Sequence, residues 1–246
     1  MTQSYKKYLD ELNIPQKEAV LNLEGVYLVL AGAGSGKTKV LTYRLLHILL
    51  EKKAFAHQIL AVTFTNKAAL EMKSRVLNLI NRPIDNIWIG TFHSISAKIL
   101  RMHAELVGLK SNFIILDTED QLKIIKRICE KENISTKEKP PKYYLNVIDR
   151  FKNKAISSDS LSIKNNKKSD KEISIIYKSY ESELIRLNCV DFGNLLLHII
   201  NIFKIHKETL KKFQSQFKYI LVDEYQDINL AQQLWLKYLY GLHKNI

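Results

Sequence analysis

The segment that most constrains this chain is a five-residue apolar run, Val26 to Leu30, followed at once by Ala31-Gly32-Ala33-Gly34-Ser35-Gly36-Lys37-Thr38. Lys39, Val40, Leu41, Arg44 and Leu45 then carry a helical pattern. A buried strand, a glycine-rich turn and a helix start, in that order, make a phosphate-binding loop. Gly32, Gly34 and Gly36 let backbone N–H groups turn inward where a Cβ would clash. Lys37 supplies a mobile positive charge for the β- and γ-phosphates, and Thr38 a hydroxyl for Mg²⁺. The position of the usual first glycine is Ala31. A chance Gly/Ser loop lacks the flanking strand and helix, so the chain is expected to bind a nucleoside triphosphate.

The rest of the chain supports one fold class. Ile59–Thr63, Ile87–Gly90 and Phe217–Val222 read as buried strands, the first two each followed by a helix, which implies a parallel α/β sheet. Between Val107 and Leu187 helical periodicity dominates after the strand-like run Phe113–Leu116. Asp117 offers an N-cap for a helix carrying Leu122, Ile125 and Ile128. Polar stretches at Lys131–Lys142 and Ser157–Asp170 interrupt it, the second expected as an exposed loop. The expected division is residues 1–106 and 188–246 as one α/β domain, with 107–187 as a helical insertion.

Net charge is +13, from 38 Lys and Arg against 25 Asp and Glu. A polyanion such as nucleic acid fits that balance. Part of the excess also reflects a general richness in lysine, isoleucine and asparagine. The lysines of the insertion, Lys152, Lys154, Lys164, Lys167 and Lys168, are candidates for phosphate contact or a solvated face. Two cysteines, Cys129 and Cys189, are too few for a disulfide framework or a metal cluster. The first residues lack a signal-peptide core, and a cytoplasmic location is expected.

The strand at Phe217–Val222 ends in Asp223-Glu224. Alone, such a pair is more often a solvated strand end. With a phosphate-binding loop in the same α/β pattern it reads as the second half of a nucleotide site. Asp223 is placed to hold Mg²⁺ and Glu224 to polarise the attacking water. Carboxyl ends of parallel strands are where such sheets bind ligands.

Val222 to Asp227 spells VDEYQD, with Gln232 beyond, and resembles motif II of superfamily 1 helicases of the UvrD/Rep/PcrA group. Leu12-Asn13-Ile14-Pro15-Gln16 resembles that group's Q motif, and AGAGSGKT its variant of the phosphate loop. Thr63-Phe64-Thr65-Asn66-Lys67-Ala68-Ala69 resembles motif Ia and Gly90-Thr91-Phe92-His93-Ser94 motif Ib. The resemblance implies a RecA-like first domain with the helical insertion between motifs Ib and II. It implies ATP and Mg²⁺ as cofactors, with Gln16 reading the adenine and Ala31 to Lys39 around the phosphates. Lys37, Asp223, Glu224 and Gln226 would be catalytic, and Thr38 and Asp223 the metal contacts. Thr63, Phe64, Thr65, Asn66, Thr91, Phe92, His93 and Ser94 would contact single-stranded DNA near a duplex junction. Phe64 offers a ring on which an unstacked base can stack.

The implied activity is ATP-driven 3′→5′ movement on DNA. The implied strand of motif III, between the strands of the phosphate loop and of Asp223, falls after Ile246, so the α/β sheet is expected to be incomplete. The missing half would come from a second chain, or the protein would be a remnant that binds without turnover. A nuclease-linked, RecB-like branch of the same superfamily is a further alternative. Three positions depart from the group: Gly193 and Asn194 replace the later acids of its DFDDLL stretch, and Lys39 replaces its usual arginine.

Overall fold

The computed structural model describes residues 4–80, 84, 86–161 and 168–246. Its regular elements in chain order are α1 (Ile14–Leu21), α2 (Lys37–Leu50), β1 (Ile59–Thr63), α3 (Asn66–Ile80), β2 (Trp88–Thr91), α4 (Phe92–Met102), β3 (Ile114–Ile115), α5 (Thr118–Lys131), α6 (Pro141–Asn153), α7 (Lys168–Arg186), β4 (Cys189–Val190), α8 (Phe192–Ile205), α9 (Lys207–Gln216), β5 (Tyr219–Val222) and α10 (Leu230–Leu239). The chain divides into two compact units. One comprises Met1–Ile95, Lys207–Ile228 and Leu236–Ile246; the other comprises Ser96–His206 and Asn229–Trp235.

The first unit is built on a parallel sheet in the order β2-β1-β5. β1 is central, with Ala61 opposite Ile89 on one side and Leu221 on the other. All five of its residues are buried, which is why the sequence reads as an unbroken apolar run rather than an alternation. Leu45 and Ile48 of α2 and Met72 and Val76 of α3 pack with Ile59, Ala61, Tyr219 and Leu221. At the sheet's edge Trp88 meets the ring of Phe217 edge-on, centroids 5.3 Å apart. The carboxyl ends of β1, β2 and β5 lead into Phe64, Phe92 and Asp223.

Val26–Leu30, expected as a buried strand, lies outside the sheet. Val26, Leu28 and Leu30 are 62%, 68% and 85% exposed. The cause is visible in the pairing. Ile220 N–H donates to the Asn245 carbonyl (2.9 Å), while Ile246 N–H donates to Gly25 (3.1 Å) and Tyr27 N–H to Ile246 (2.9 Å). Asn245 and Ile246 therefore lie between β5 and the start of this segment, bonded to both. Neighbouring strands sit about 4.8 Å apart, so the two flanks are separated by one strand's width and do not pair directly. An apolar run becomes a strand only where a ladder partner reaches it.

The second unit is helical, with a core of Ile125, Ile128, Tyr144, Ile148, Ile176, Tyr177, Tyr180 and Leu184. Asp117 caps α5 as expected, accepting the Asp120 N–H at 2.9 Å. The strand-like run Phe113–Leu116 contributes β3, which pairs in parallel with β4 (Ile114 opposite Cys189). Of the polar stretch Ser157–Asp170, residues 162–167 lie outside the described residues, as do Lys164 and Lys167 and the side chain of Lys168.

Lys152 is not a surface lysine. It is fully buried, its Nζ 2.5 Å from Asp191 and 2.7 Å from Glu181. Burial opposes its charge, yet the two carboxylates hold its amine above the usual lysine range. Asp191 also accepts the Tyr180 hydroxyl (3.0 Å) and, as N-cap of α8, the Asn194 N–H (2.8 Å). The glycine at 193 now has a reason. A Cβ there would stand 2.6 Å from Cδ and 2.8 Å from Cβ of Lys152. The lysine stem occupies the space a side chain would need, and Asn194 Nδ2 donates to Glu181 (3.0 Å).

Candidate nucleotide and nucleic-acid site

The phosphate loop takes its shape from two left-handed glycines, Gly34 (φ 76°) and Gly36 (φ 86°). Gly36 is the N-cap of α2 and carries no side chain to satisfy the first turn. The free N–H groups there, with the helix dipole behind them, form a ready anion site. Ser35 closes the loop on itself, donating its hydroxyl to the Gly32 carbonyl (2.7 Å). Lys37 Nζ turns back to the carbonyls of Ala31 (3.2 Å) and Gly32 (3.5 Å). Ala31 to Ser35 are exposed, and Thr38 is half-buried in the first turn of α2.

Gln16 reaches this loop directly. Its Oε1 accepts the Asn13 N–H in a capping box at the start of α1, and its Nε2 donates to the Ser35 carbonyl (2.9 Å). A Cβ on Gly36 would come within 3.0 Å of that Nε2. Lys39 turns to Glu11, donating to its carbonyl at 2.8 Å. Tyr43 donates its hydroxyl to the Glu11 carboxylate; burial first and then that bond push the phenol up to about 12. The sequence marks Arg44 only as part of the helical pattern, without a partner. It is buried, and its guanidinium donates to the carbonyls of Ala19, Asn22 and Leu23, fastening α2 to the end of α1. A charge on an otherwise apolar helical stripe was the available signal.

Asp223 continues the ladder past β5, its N–H donating to Val62 (2.8 Å). Burial, then the neighbouring Glu224, raises its carboxyl above the ordinary range; the Glu224 N–H and the positive charge of Lys37 pull the other way. Glu224 adopts a left-handed backbone (φ 47°), which a non-glycine residue holds only when its surroundings fix it. Gln226 Nε2 donates to the Glu224 carboxylate and to Asp227, fixing the turn after the strand. A divalent cation fits this donor set: Thr38 and one carboxylate leave most positions to phosphate and water, as Mg²⁺ prefers. Among the described residues no three His, Cys, Asp or Glu side chains gather to hold a metal alone.

The expected DNA contacts divide. Phe64 is 55% exposed beyond β1. Thr65 caps α3, accepting the Ala68 N–H (3.1 Å), and Asn66 opens that helix exposed. Thr63 is buried and its hydroxyl is spent on the Thr65 carbonyl (3.0 Å). Thr91 and Ser94 bond each other reciprocally at the start of α4, each N–H donating to the other's hydroxyl. Phe92 is 3% exposed, so its ring is core and Phe64 alone of the pair presents a face to stack on. His93 is held below the ordinary imidazole range by burial.

A glycine-rich loop that opens α2 and a carboxylate at the end of β5 lie in one unit, and comparison supplies the family. The family described as UvrD/REP helicase N-terminal domain matches residues 12–246, and the chain belongs to it. It is 45% identical over 245 residues to DNA helicase II of Rickettsia typhi, covering 98% of this chain and 37% of that protein. It is 42% identical over 235 residues to the ATP-dependent DNA helicase PcrA of Staphylococcus epidermidis, covering 96% of this chain and 32% of that one. The PcrA of Staphylococcus aureus is 40% identical over 238 residues, 97% and 33% covered. The chain therefore spans about a third of the length of these relatives. Among the described residues no helix is long and apolar enough to cross a membrane.

Proposed function

We propose that this chain is the ATP-binding portion of an ATP-dependent 3′→5′ DNA helicase, a RecA-like domain coupling Mg-ATP hydrolysis to movement on single-stranded DNA in the cytoplasm. The observation that carries the reading is the left-handed glycine turn that opens α2 at Lys37, in the same unit as Asp223, which continues the ladder past β5. Bound Mg-ATP would supply the phosphoryl group for transfer to water, and the residues here position and neutralise it. Lys37 would leave the carbonyls of Ala31 and Gly32 for phosphate oxygens, while the N–H groups of Gly34 to Thr38 cradle them. Thr38 and Asp223 would hold the metal. Glu224, set by Gln226, would orient the water. Gln16 would exchange Ser35 for the adenine edge, which ties base recognition to loop opening. Phe64, Thr65, Asn66, Thr91, His93 and Ser94 would line the path of the single strand toward the duplex junction. A second polypeptide segment carrying the partner RecA-like domain would contribute transition-state arginines, worth on the order of 10³–10⁵ in rate.

The test is the ATPase rate of the purified chain with and without single-stranded DNA, beside Lys37→Ala. DNA-stimulated turnover that vanishes in Lys37→Ala supports the reading. A rate equal to that of Lys37→Ala, with nucleotide or DNA still bound, replaces it with a module that binds without turnover.

A further inference from the structure

Just after the strand-end carboxylates the chain passes into the helical unit: Ile228 belongs to the first unit and Asn229–Trp235 to the second. Between Glu224 and Asn229 the backbone has little slack. Tyr225–Asp227 form one 3₁₀ turn, the Asp227 N–H donating to the Glu224 carbonyl (3.0 Å) and the Ile228 N–H to Tyr225 (3.5 Å). The Ile228 side chain is buried. Asn229 then opens α10 in a reciprocal pair with Gln232: its Oδ1 accepts the Gln232 N–H, and its own N–H donates to Gln232 Oε1, each at 2.9 Å. A displacement at Asn229 is therefore passed up the chain rather than absorbed. Glu224 is where it is felt, because its left-handed backbone (φ 47°) is held by its surroundings and not by its own preference.

Within the helical unit Asn229 has one more partner. Its Nδ2 donates to Oδ1 of Asn153 at 2.9 Å. Asn153 is the last residue of α6, and several independent contacts fix that helix end. The residue before it, Lys152, is the fully buried cation between Asp191 and Glu181. Two residues on, Ala155 takes a left-handed backbone (φ 56°) where glycine is usual. It closes the helix through its N–H to the Lys152 carbonyl and the Ile156 N–H to Phe151, both 2.9 Å. The Ile156 carbonyl in turn accepts the Tyr177 hydroxyl (3.0 Å). A buried ion cluster is weak evidence for stability, and its best-attested use is to fix where its members stand. Here it fixes the end of α6 that receives Asn229.

We infer that the Asn153–Asn229 hydrogen bond is a positioning contact for ATP hydrolysis, through which the anchored end of α6 sets the turn that carries Glu224. The inference deepens the proposed function and rests on Glu224 orienting the attacking water. Neither asparagine is among the groups placed on phosphate, metal or base, so both act through Glu224. The glycine loop and Lys37 do not depend on the contact, so its loss lowers kcat and leaves KM for ATP nearly unchanged. A hydrogen bond of this kind contributes roughly a factor of 2–10 to an equilibrium, which sets the size of the effect.

The chemistry of the pair supplies the test. Asn153→Asp keeps an acceptor for Asn229, and Asn229→Asp keeps the cap of α10 while the Asn153 amide turns to donate. The double variant keeps the cap but sets two carboxylates against each other. Asn153→Ala deletes the acceptor without adding charge. Each full chain is assayed for ATP turnover with and without a 20-mer of dT, and for backbone amide exchange by mass spectrometry. Expected is a fall in kcat of about fivefold or more in the double variant and about two- to tenfold in Asn153→Ala, with KM for ATP within about twofold. The single Asp variants should stay within about twofold of wild type, and amide exchange over residues 224–228 should quicken in the double variant and in Asn153→Ala only. Wild-type kcat in the double variant, or equal losses in the single and double Asp variants, overturns the inference. So does faster exchange confined to residues 229–235, which would leave the bond a local support of α10. A wild type that turns over no ATP removes the reading of hydrolysis instead, and exchange over residues 224–228 then decides by itself whether the contact positions the turn.

Discussion

Replacing Lys152 by methionine keeps a straight stem beside Gly193 and removes only the charge. In the wild type that charge lies 2.5 Å from Asp191 and 2.7 Å from Glu181, with side chains 1% and 18% exposed. Water cannot replace it. Deleting one partner of a buried pair costs about 3–5 kcal/mol, because the other charge is left without compensation. Here two carboxylates are stranded, so the upper half of that range is expected. At about 2–4 °C per kcal/mol for a chain of this size, the melting temperature should fall by roughly 8–20 °C. The assay is thermal and urea denaturation followed by far-UV circular dichroism at pH 7.5, then at pH 5. Burial already raises the Glu181 carboxyl above its usual range, and losing the lysine raises it further. A raised acid pKa means that protons bind the folded state first, so lowering pH neutralises the stranded charge. The deficit should therefore shrink at pH 5. A Lys152→Met protein melting within 2 °C of wild type at pH 7.5, or a deficit that grows in acid, would refute the account of this cluster.

Three further outcomes follow from the same structure. Gly193→Ala should destabilise the wild type by about 1–3 kcal/mol through overpacking against the Lys152 stem, and cost less in a Lys152→Ala background; a double-mutant cycle by urea melts reads the coupling. Phe64→Ala should leave stability within about 0.5 kcal/mol and weaken dT binding by about 1–3 kcal/mol, whereas Phe92→Ala should cost about 3–5 kcal/mol of stability, measured by anisotropy and denaturation. His198 is depressed to about 4, first by burial and then by Lys152. Its unfolded form takes up a proton first, so this residue's contribution to stability is lost as pH falls from about 6.5 towards 4. His198→Gln should show a smaller acid loss than wild type over that window in urea melts.

The parts legible in the sequence were those whose physics is local. Gly34 and Gly36 declare a left-handed turn because other residues avoid it, and Asp117 declares a helix start because its carboxylate meets a free N–H three residues on. β1 and β5 declare themselves because burial on both faces demands unbroken apolar runs. Motif order then carried the reading from a nucleotide loop to a helicase family. Tertiary structure decided what depends on a neighbour distant in the chain. Val26–Leu30 has the composition of a strand, yet it does not pair with β5, because Asn245 and Ile246 lie between them and bond to both. Phe64 and Phe92 occupy similar places in two motifs, and packing alone exposed one ring and buried the other. Lys152 read as a phosphate contact or a solvated charge until Glu181 of α7 and Asp191, the N-cap of α8, gave it a counter-charge indoors. A residue's chemistry is written in the sequence; whether water or another side chain answers it is settled only by the fold.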